Sequence, residues 1–345
     1  MNRSGFSLTD LLASLVMLVV VALFSLAATV NLDNSRTRVK CASNLRQIGQ
    51  AILLYSNDTR GTYPRTKYEP DAADRPTAYT GVDSPSPFAA TCPQVNDVSA
   101  AIYLLLRTED VTSAVFICPA TGQTKYDYGG GGNTVLNRSN FPSGEVLSYS
   151  YADPYPSPAA VARGYKMVQG IDPSFVVFAD MNPGSAELTR LTLASTADQM
   201  RTGNSANHST DGQNMLYGDG HVEFNNNPFC SVNRDNIYTY GHSGVDPNSQ
   251  ALLATGGTGV FGSPVDPTDS VLLPAAIMPT DGTIAGNAPQ TPPPANSPAP
   301  MAVTPVDQGT DFTMCVAIAS LIFLLVLLGA LAAIYMRTKR SRRSP

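Results

Sequence analysis

Ser4-Gly5-Phe6-Ser7-Leu8-Thr9-Asp10 opens directly onto residues 11–30, twenty residues without a charge. An α-helix over that run is about 30 Å long, the thickness of a bilayer core. Beyond it, Val39, Ala42, Leu45, Ile48, Ile52 and Tyr55 recur at spacings of three and four, one apolar stripe on a helix. Arg36, Arg38, Lys40, Arg46 and Gln50 occupy its other faces. Asn57-Asp58-Thr59-Arg60-Gly61 and then Pro64 supply the stop. The two patterns join into one expected helix over residues 6–57, about 78 Å long. Its first half, about residues 11–30, is expected to span a membrane, and its second half to pack on a globular head.

At the other end, residues 313–336 form a second uncharged run, followed by Arg337, Lys339, Arg340, Arg342 and Arg343. Five cations just past an apolar run mark the cytoplasmic side. The expected topology has a second transmembrane helix over 313–336, a basic cytoplasmic tail over 337–345, and the intervening chain outside the cytoplasm. These runs explain the composition: 43% of the 345 residues are apolar and only 14% are charged, against about 25% in an ordinary soluble domain. Residues 31–312 hold 16 Lys plus Arg and 26 Asp plus Glu. That acidic balance argues against nucleic acid as a partner.

Residues 58–247 read as one α+β head. Residues 62–98 are rich in Pro, Asp, Thr and Ser and are expected to be extended loop; 100–106 is a short helix candidate. Residues 115–118, 175–179 and 215–224 read as strands, the last folded about Gly218-Asp219-Gly220, a hairpin turn signal. On the return strand Val222 and Phe224 share the core face, while His221 and Glu223 point outward. Gly129 to Gly132 is loop, without the Lys-Ser/Thr of a phosphate cradle. From 248 to 312 the composition loosens, with seven prolines between Pro289 and Pro305. That stretch is expected to be a flexible Pro-rich tether.

The chemistry-bearing residues are sparse. Three histidines, His208, His221 and His242, match no compact zinc pattern, and no Gly-x-Ser-x-Gly elbow occurs. His208 is expected to hydrogen-bond to the Gly218–Gly220 turn and hold the loop. No enzyme activity, cofactor or metal is expected. Were an ion taken, calcium at Asp211 and Asp219 with loop carbonyls is what the loop offers, ahead of zinc at the histidines. Cys92 and Cys118, each followed by Pro, bracket a loop and form the first disulfide candidate, with Cys41 and Cys230 as a second.

Gly5-Phe6-Ser7-Leu8 with Asp10, ahead of an apolar helix, resembles the type IV prepilin leader. That resemblance implies cleavage of Gly5–Phe6 by a prepilin peptidase and methylation of Phe6, with Asp10 standing where the family carries Glu; residues 1–5 are then the leader. A simple uncleaved anchor and an ordinary secretory signal, cut near Ser25-Leu26-Ala27, are the competing readings. Lys40-Cys41-Ala42-Ser43-Asn44-Leu45-Arg46-Gln47-Ile48-Gly49 resembles prepilin-like proteins that carry a C-terminal H-X9-DG signature. Here that signature corresponds to His208, Asp219 and Gly220, with ten residues between His208 and Asp219.

The resemblance covers roughly residues 1–240. It implies a pseudopilin-like head: a long N-terminal helix on an antiparallel sheet. The implied setting is the bacterial inner membrane, in a type II secretion or pilus-like system. The implied role is a non-enzymatic, membrane-anchored structural or display protein. The implied partners are the prepilin peptidase, other pilin-like subunits and inner-membrane lipid. The alternative is a membrane-tethered extracytoplasmic binding or sensor module that uses a prepilin-like targeting helix.

Overall fold

The computed structural model describes residues 8–72 and 76–276. Helix α1 (Leu8–Asp58) runs unbroken for 51 residues, about 76 Å. From Cys41 onward it enters the core, burying Leu45, Ile48, Ala51, Ile52 and Tyr55. Leu45, Ile48, Ile52 and Tyr55 belong to the predicted stripe and Cys41 and Ala51 join them, whereas Val39, at the start of the predicted stripe, is exposed and Ala42 is half-buried. Helix α2 (Val98–Thr108) starts where Asp97 caps it, its carboxylate accepting from the Ala100 amide at 2.8 Å. Capping satisfies a helix-end donor that otherwise has no partner. Two further helices are single turns, α3 (Pro158–Ala162) and α4 (Ala197–Arg201).

The sheet has five antiparallel strands: β1 (Tyr149–Ala152), β2 (Val176–Asp180), β3 (Gln213–Tyr217), β4 (Val222–Asn225) and β5 (Leu272–Leu273). They lie in the order β4-β3-β2-β1-β5. Registers place Tyr149 opposite Asp180, Tyr151 opposite Phe178, Phe178 opposite Leu216 and Asn214 opposite Phe224. Alternation along a strand then sorts the sheet into two faces. Tyr149, Tyr151, Phe178, Asp180, Asn214, Leu216 and Phe224 face α1. Contact there is close enough that a Cβ on Gly49 would lie 3.0 Å from Leu216 Cδ1. Ser150, Gln213 and Met215 point the other way, onto the segment from Asn227 to Ala276: Ser150 Oγ donates to the Pro274 carbonyl, and Gln213 Nε2 to that of Asn227.

That second layer is almost free of regular structure, and buried carboxylates organise it. Asp235 accepts from Ser243 Oγ at 2.6 Å and from the Ser270 amide at 3.0 Å. Asp269 Oδ2 accepts from the Gly241 and Val265 amides at 2.9 and 2.8 Å, and its Oδ1 is buried without a partner. Burial pushes both carboxyls up, Asp269 to about 7, against the pull of its two amide donors.

Four expectations are corrected. Among the described residues no helix is long and apolar enough to cross a membrane. This corrects the fold class at its expected span over 11–30, and with it the two-span location in the bacterial inner membrane. The run 11–30 is continuous with Asn31, Asp33 and Arg36 in the single 51-residue helix α1. The proposed second span, 313–336, and the tail, 337–345, lie outside the described residues.

Second, the head does not stop at 247. Strand β5 pairs with β1, and Ser270, Val271, Leu272 and Leu273 are fully buried. The Gly- and Ser-rich composition misled because side-chain hubs, not a periodic pattern, order this stretch. Third, residues 115–118 are not a strand; Ser113–Phe116 is a 3-10 turn packed on α1. Fourth, residues 70–72 within the expected extended loop form a short 3-10 turn. The β3–β4 hairpin and the outward His221 and Glu223 stand as read.

Candidate functional site

Between α1 and the sheet lies a sealed polar cluster built from four separate parts of the chain. Helix α1 brings Cys41 and Asn44. The chain leaving the 3-10 turn at Ser113–Phe116 brings Cys118. Asp180 ends β2, and His208 closes a 3-10 turn (Ala206–His208) just before β3. Cys41, Cys118 and Asp180 are fully buried and His208 nearly so.

Cys41 and Cys118 form a disulfide with Cα atoms 5.3 Å apart. The pairing predicted between Cys92 and Cys118 is therefore corrected. Cys92 and Cys230 are free, half-buried thiols. Cys92 packs against Gly81 in the loop region, whereas the turn before Cys118 lies on α1. Sequence proximity suggested the wrong partner. The available signal was Cys41 in register with Leu45, Ile48, Ile52 and Tyr55 on the face that meets the head.

His208 Nε2 lies 3.3 Å from Asp180 Oδ2, 3.0 Å from Asn214 Nδ2 and 3.7 Å from Cys118 Sγ. Asp180 is held from several sides. Its Oδ2 accepts from the Asn214 amide at 2.6 Å and from Asn214 Nδ2 at 3.1 Å, and its Oδ1 accepts from Asn207 Nδ2 at 3.1 Å. An ionised carboxylate only accepts, so Asn214 must turn its NH2 toward Asp180. Asn214 Nδ2 thus lies between Asp180 Oδ2 and His208 Nε2, the ring nitrogen that also faces the carboxylate. Asn44 Nδ2 donates to the Ile117 carbonyl at 2.9 Å and fixes the chain beside Cys118. Phe224 closes the outer side, its ring 5.9 Å from that of His208, with the Arg38 guanidinium 4.3 Å above it.

The structure separates the residues of the H-X9-DG-like signature. His208 sits in this cluster, while Asp219 and Gly220 form the exposed hairpin turn at the other end of β3. There Asp219 accepts from the His221 amide at 3.0 Å and lies 2.5 Å from His221 Nδ1, contacts that hold its carboxyl below the usual range. His208 does not bond to the turn, as had been expected. The calcium pair is likewise divided: Asp211 precedes β3 and Asp219 follows it, and the five residues of β3 alone put roughly 13 Å between its ends. Asp211 instead pairs with Arg38 at 2.9 Å and Arg201 at 3.0 Å.

Gly5 and Phe6 of the leader lie outside the described residues, and Asp10 is described only as part of the α1 backbone. Sequence reasoning missed Asp180 and Cys41 as site residues. Asp180 did carry a signal, a lone charge ending the apolar run Phe175–Ala179.

A surface cleft of about 230 Å³ lies between Thr62, Tyr63, Arg65, Pro154, Tyr165 and Lys166. It falls below the roughly 300–1,000 Å³ of small-molecule sites. Comparison with known protein families, with curated proteins and with solved structures finds no match for this chain.

Proposed function

We propose that this chain is a non-enzymatic, pilin-like structural or display subunit that associates with other such subunits through the N-terminal half of α1. The observation that carries the reading is the division of that helix. Its C-terminal part is core, whereas Leu15, Val16, Met17, Leu18 and Val20 are 41–68% exposed. Contiguous exposed apolar surface of this kind marks an interaction site. A rigid head fused to such a helix suits packing helix against helix, with the heads displayed outside. The leader-like Gly5-Phe6 with Asp10 supports the same class and adds processing by a prepilin peptidase. The alternative of a small-molecule binding or sensor module has in its favour the small cleft beside Tyr63 and a wide, open depression of about 570 Å³ between Arg38, Asp211, Glu223, Phe224 and Asn226.

Sedimentation of the full chain over a range of concentrations tests the proposal, with electron microscopy of the largest species. Wild type should form oligomers, and Met17→Asp with Leu18→Asp should abolish them without changing the unfolding midpoint of the head. A monomeric wild type, or oligomers indifferent to the two aspartates, would refute it.

A further inference from the structure

We infer that the Cys41, Cys118, Asp180 and His208 cluster is a redox-gated site for a divalent metal of the zinc class, closed by the disulfide and opened by its reduction. The four ligand atoms lie within 4.8 Å of one another, all buried. Two thiolates, one imidazole and one carboxylate form a complete tetrahedral set for Zn²⁺, and thiolates favour it over calcium or magnesium.

Two of the six ligand–ligand edges already match such a centre. With metal–ligand bonds of about 2.3 Å to sulfur and about 2.0 Å to nitrogen or oxygen, tetrahedral edges are about 3.6 Å for S–N and about 3.3 Å for N–O. The observed separations are 3.7 Å for Cys118 Sγ to His208 Nε2 and 3.3 Å for His208 Nε2 to Asp180 Oδ2. The covalent S–S bond is too short for an edge of such a site. Reduction removes it, and two sulfurs relaxing to van der Waals contact reach the S–S edge of a tetrahedral site, about 3.8 Å.

The placement of the ligands points the same way. His208 Nε2 and Asp180 Oδ2 face each other in one sealed space, and a metal would take the place on Nε2 now held by the contact to Asn214 Nδ2. A cation placed between them and the sulfurs would be bound by both. Asn207 and Asn214 orient Asp180 from outside, as supporting hydrogen bonds do around metal ligands.

The chemistry balances. A phosphine reductant gives two electrons, taking up the oxygen of one water to become its oxide; the two protons of that water convert the disulfide to two thiols. On binding metal, both thiols release their protons to solvent and form two metal–sulfur bonds. Disulfides persist in oxidising compartments and thiols in reducing ones, so the same four residues provide a covalent clamp in one and a metal clamp in the other.

The test uses the full chain with Cys92, Cys230 and Cys315 changed to Ser, so that Cys41 and Cys118 are its remaining cysteines. It is equilibrated with zinc chloride, with and without the phosphine, then freed of loose metal and assayed for bound zinc. The reduced chain should retain about one zinc, and the oxidised chain about tenfold less. Cobalt in place of zinc should give the visible bands of a tetrahedral site and thiolate-to-cobalt charge transfer. His208→Gln and Asp180→Asn should each weaken retention and alter that spectrum. The inference is overturned if the reduced chain retains about a tenth of an equivalent or less. It is equally overturned if bound cobalt lacks the charge-transfer band, or if Cys41→Ser with Cys118→Ser retains as much zinc as its parent.

Discussion

Asp180 and His208 meet at 3.3 Å in a space closed to solvent, yet the carboxylate draws its hydrogen bonds from Asn207 and Asn214 rather than depending on the ring. The two residues are therefore unequal in what their loss exposes. Asp180→Ala leaves the Asn214 amide, Asn214 Nδ2 and Asn207 Nδ2 short of an acceptor. His208→Ala orphans one amide proton and leaves a small void.

The expected order of stability follows. In urea unfolding of the oxidised chain, His208→Ala should cost roughly 1–3 kcal/mol, and Asp180→Ala at least about 3 kcal/mol, since each unsatisfied buried group costs about 1–3. Equal losses, or a larger one at His208, would show that the carboxylate is not the hub of the network.

Cys41 and Cys118 are separated by 77 positions. Closing a loop of that size restricts the unfolded chain by an amount worth roughly 4 kcal/mol. Cys41→Ser should lower stability by about that amount under metal-free conditions. The same substitution should leave Cys92 and Cys230 as readily titrated by a thiol reagent after unfolding as in the parent. A change below about 1 kcal/mol would mean that the unfolded state is not the place where the bridge acts.

The pH dependence should carry an unusual sign in the mildly acidic range. Asp269 has a folded pKa of about 7, raised by burial, against about 3.9 when unfolded. Between those values the folded state holds a proton that the unfolded state has released. Its contribution is fully present below about pH 4, and it is lost as pH rises toward 7, by up to about 1.4 kcal/mol per pH unit. Asp235 shifts in the same direction. Asp219, held low at the hairpin, acts oppositely, but only below its ordinary range. Denaturant midpoints should therefore rise as pH falls from 7 toward 5, and Asp269→Asn should flatten that slope. A wild type whose midpoint falls over the same interval would contradict this assignment.

Gly49 sets the distance between α1 and β3. A Cβ there would press on Leu216 Cδ1 and Cδ2 at 3.0 and 3.2 Å, and two further methyl groups have no space. Gly49→Val should destabilise by about 1–3 kcal/mol through overpacking, despite replacing a helix-weakening glycine. Leu216→Ala in the same chain should recover part of the loss. If the double variant is no more stable than the sum of the two single losses, the clash is not at Leu216.

How much of this was legible beforehand depended on whether the information was local. The stripe through Leu45, Ile48, Ile52 and Tyr55 repeats every turn and revealed the head-facing half of α1. Gly218-Asp219-Gly220 marked the β3–β4 hairpin because a two-strand reversal needs such residues at its tip. The partner of Cys118 was only half readable: Cys41 lay in register with the stripe, but nothing local in the sequence says that the Ser113–Phe116 turn packs on that face of α1. Asp180 and His208 come from different strands' ends and share no pattern. The stretch from 248 to 276 looked unstructured because Asp235 and Asp269 order it through backbone amides, an arrangement without period. The apolar run at residues 11–30 has a span's length and no charge, yet among the described residues no helix qualifies as a membrane span.

The bridge from Cys41 to Cys118 also fixes the mechanical character of the protein. Any tension drawn along α1 from its N-terminal end reaches a covalent link before it tests the packing of Leu45, Ile48 and Ile52. The helix cannot be peeled from the sheet turn by turn; it must drag the Cys118 segment with it. Load entering through the helix is thus delivered to the middle of the head, and head and helix yield as one body. Reduction of a single bond would turn that rigid coupling into a slip joint.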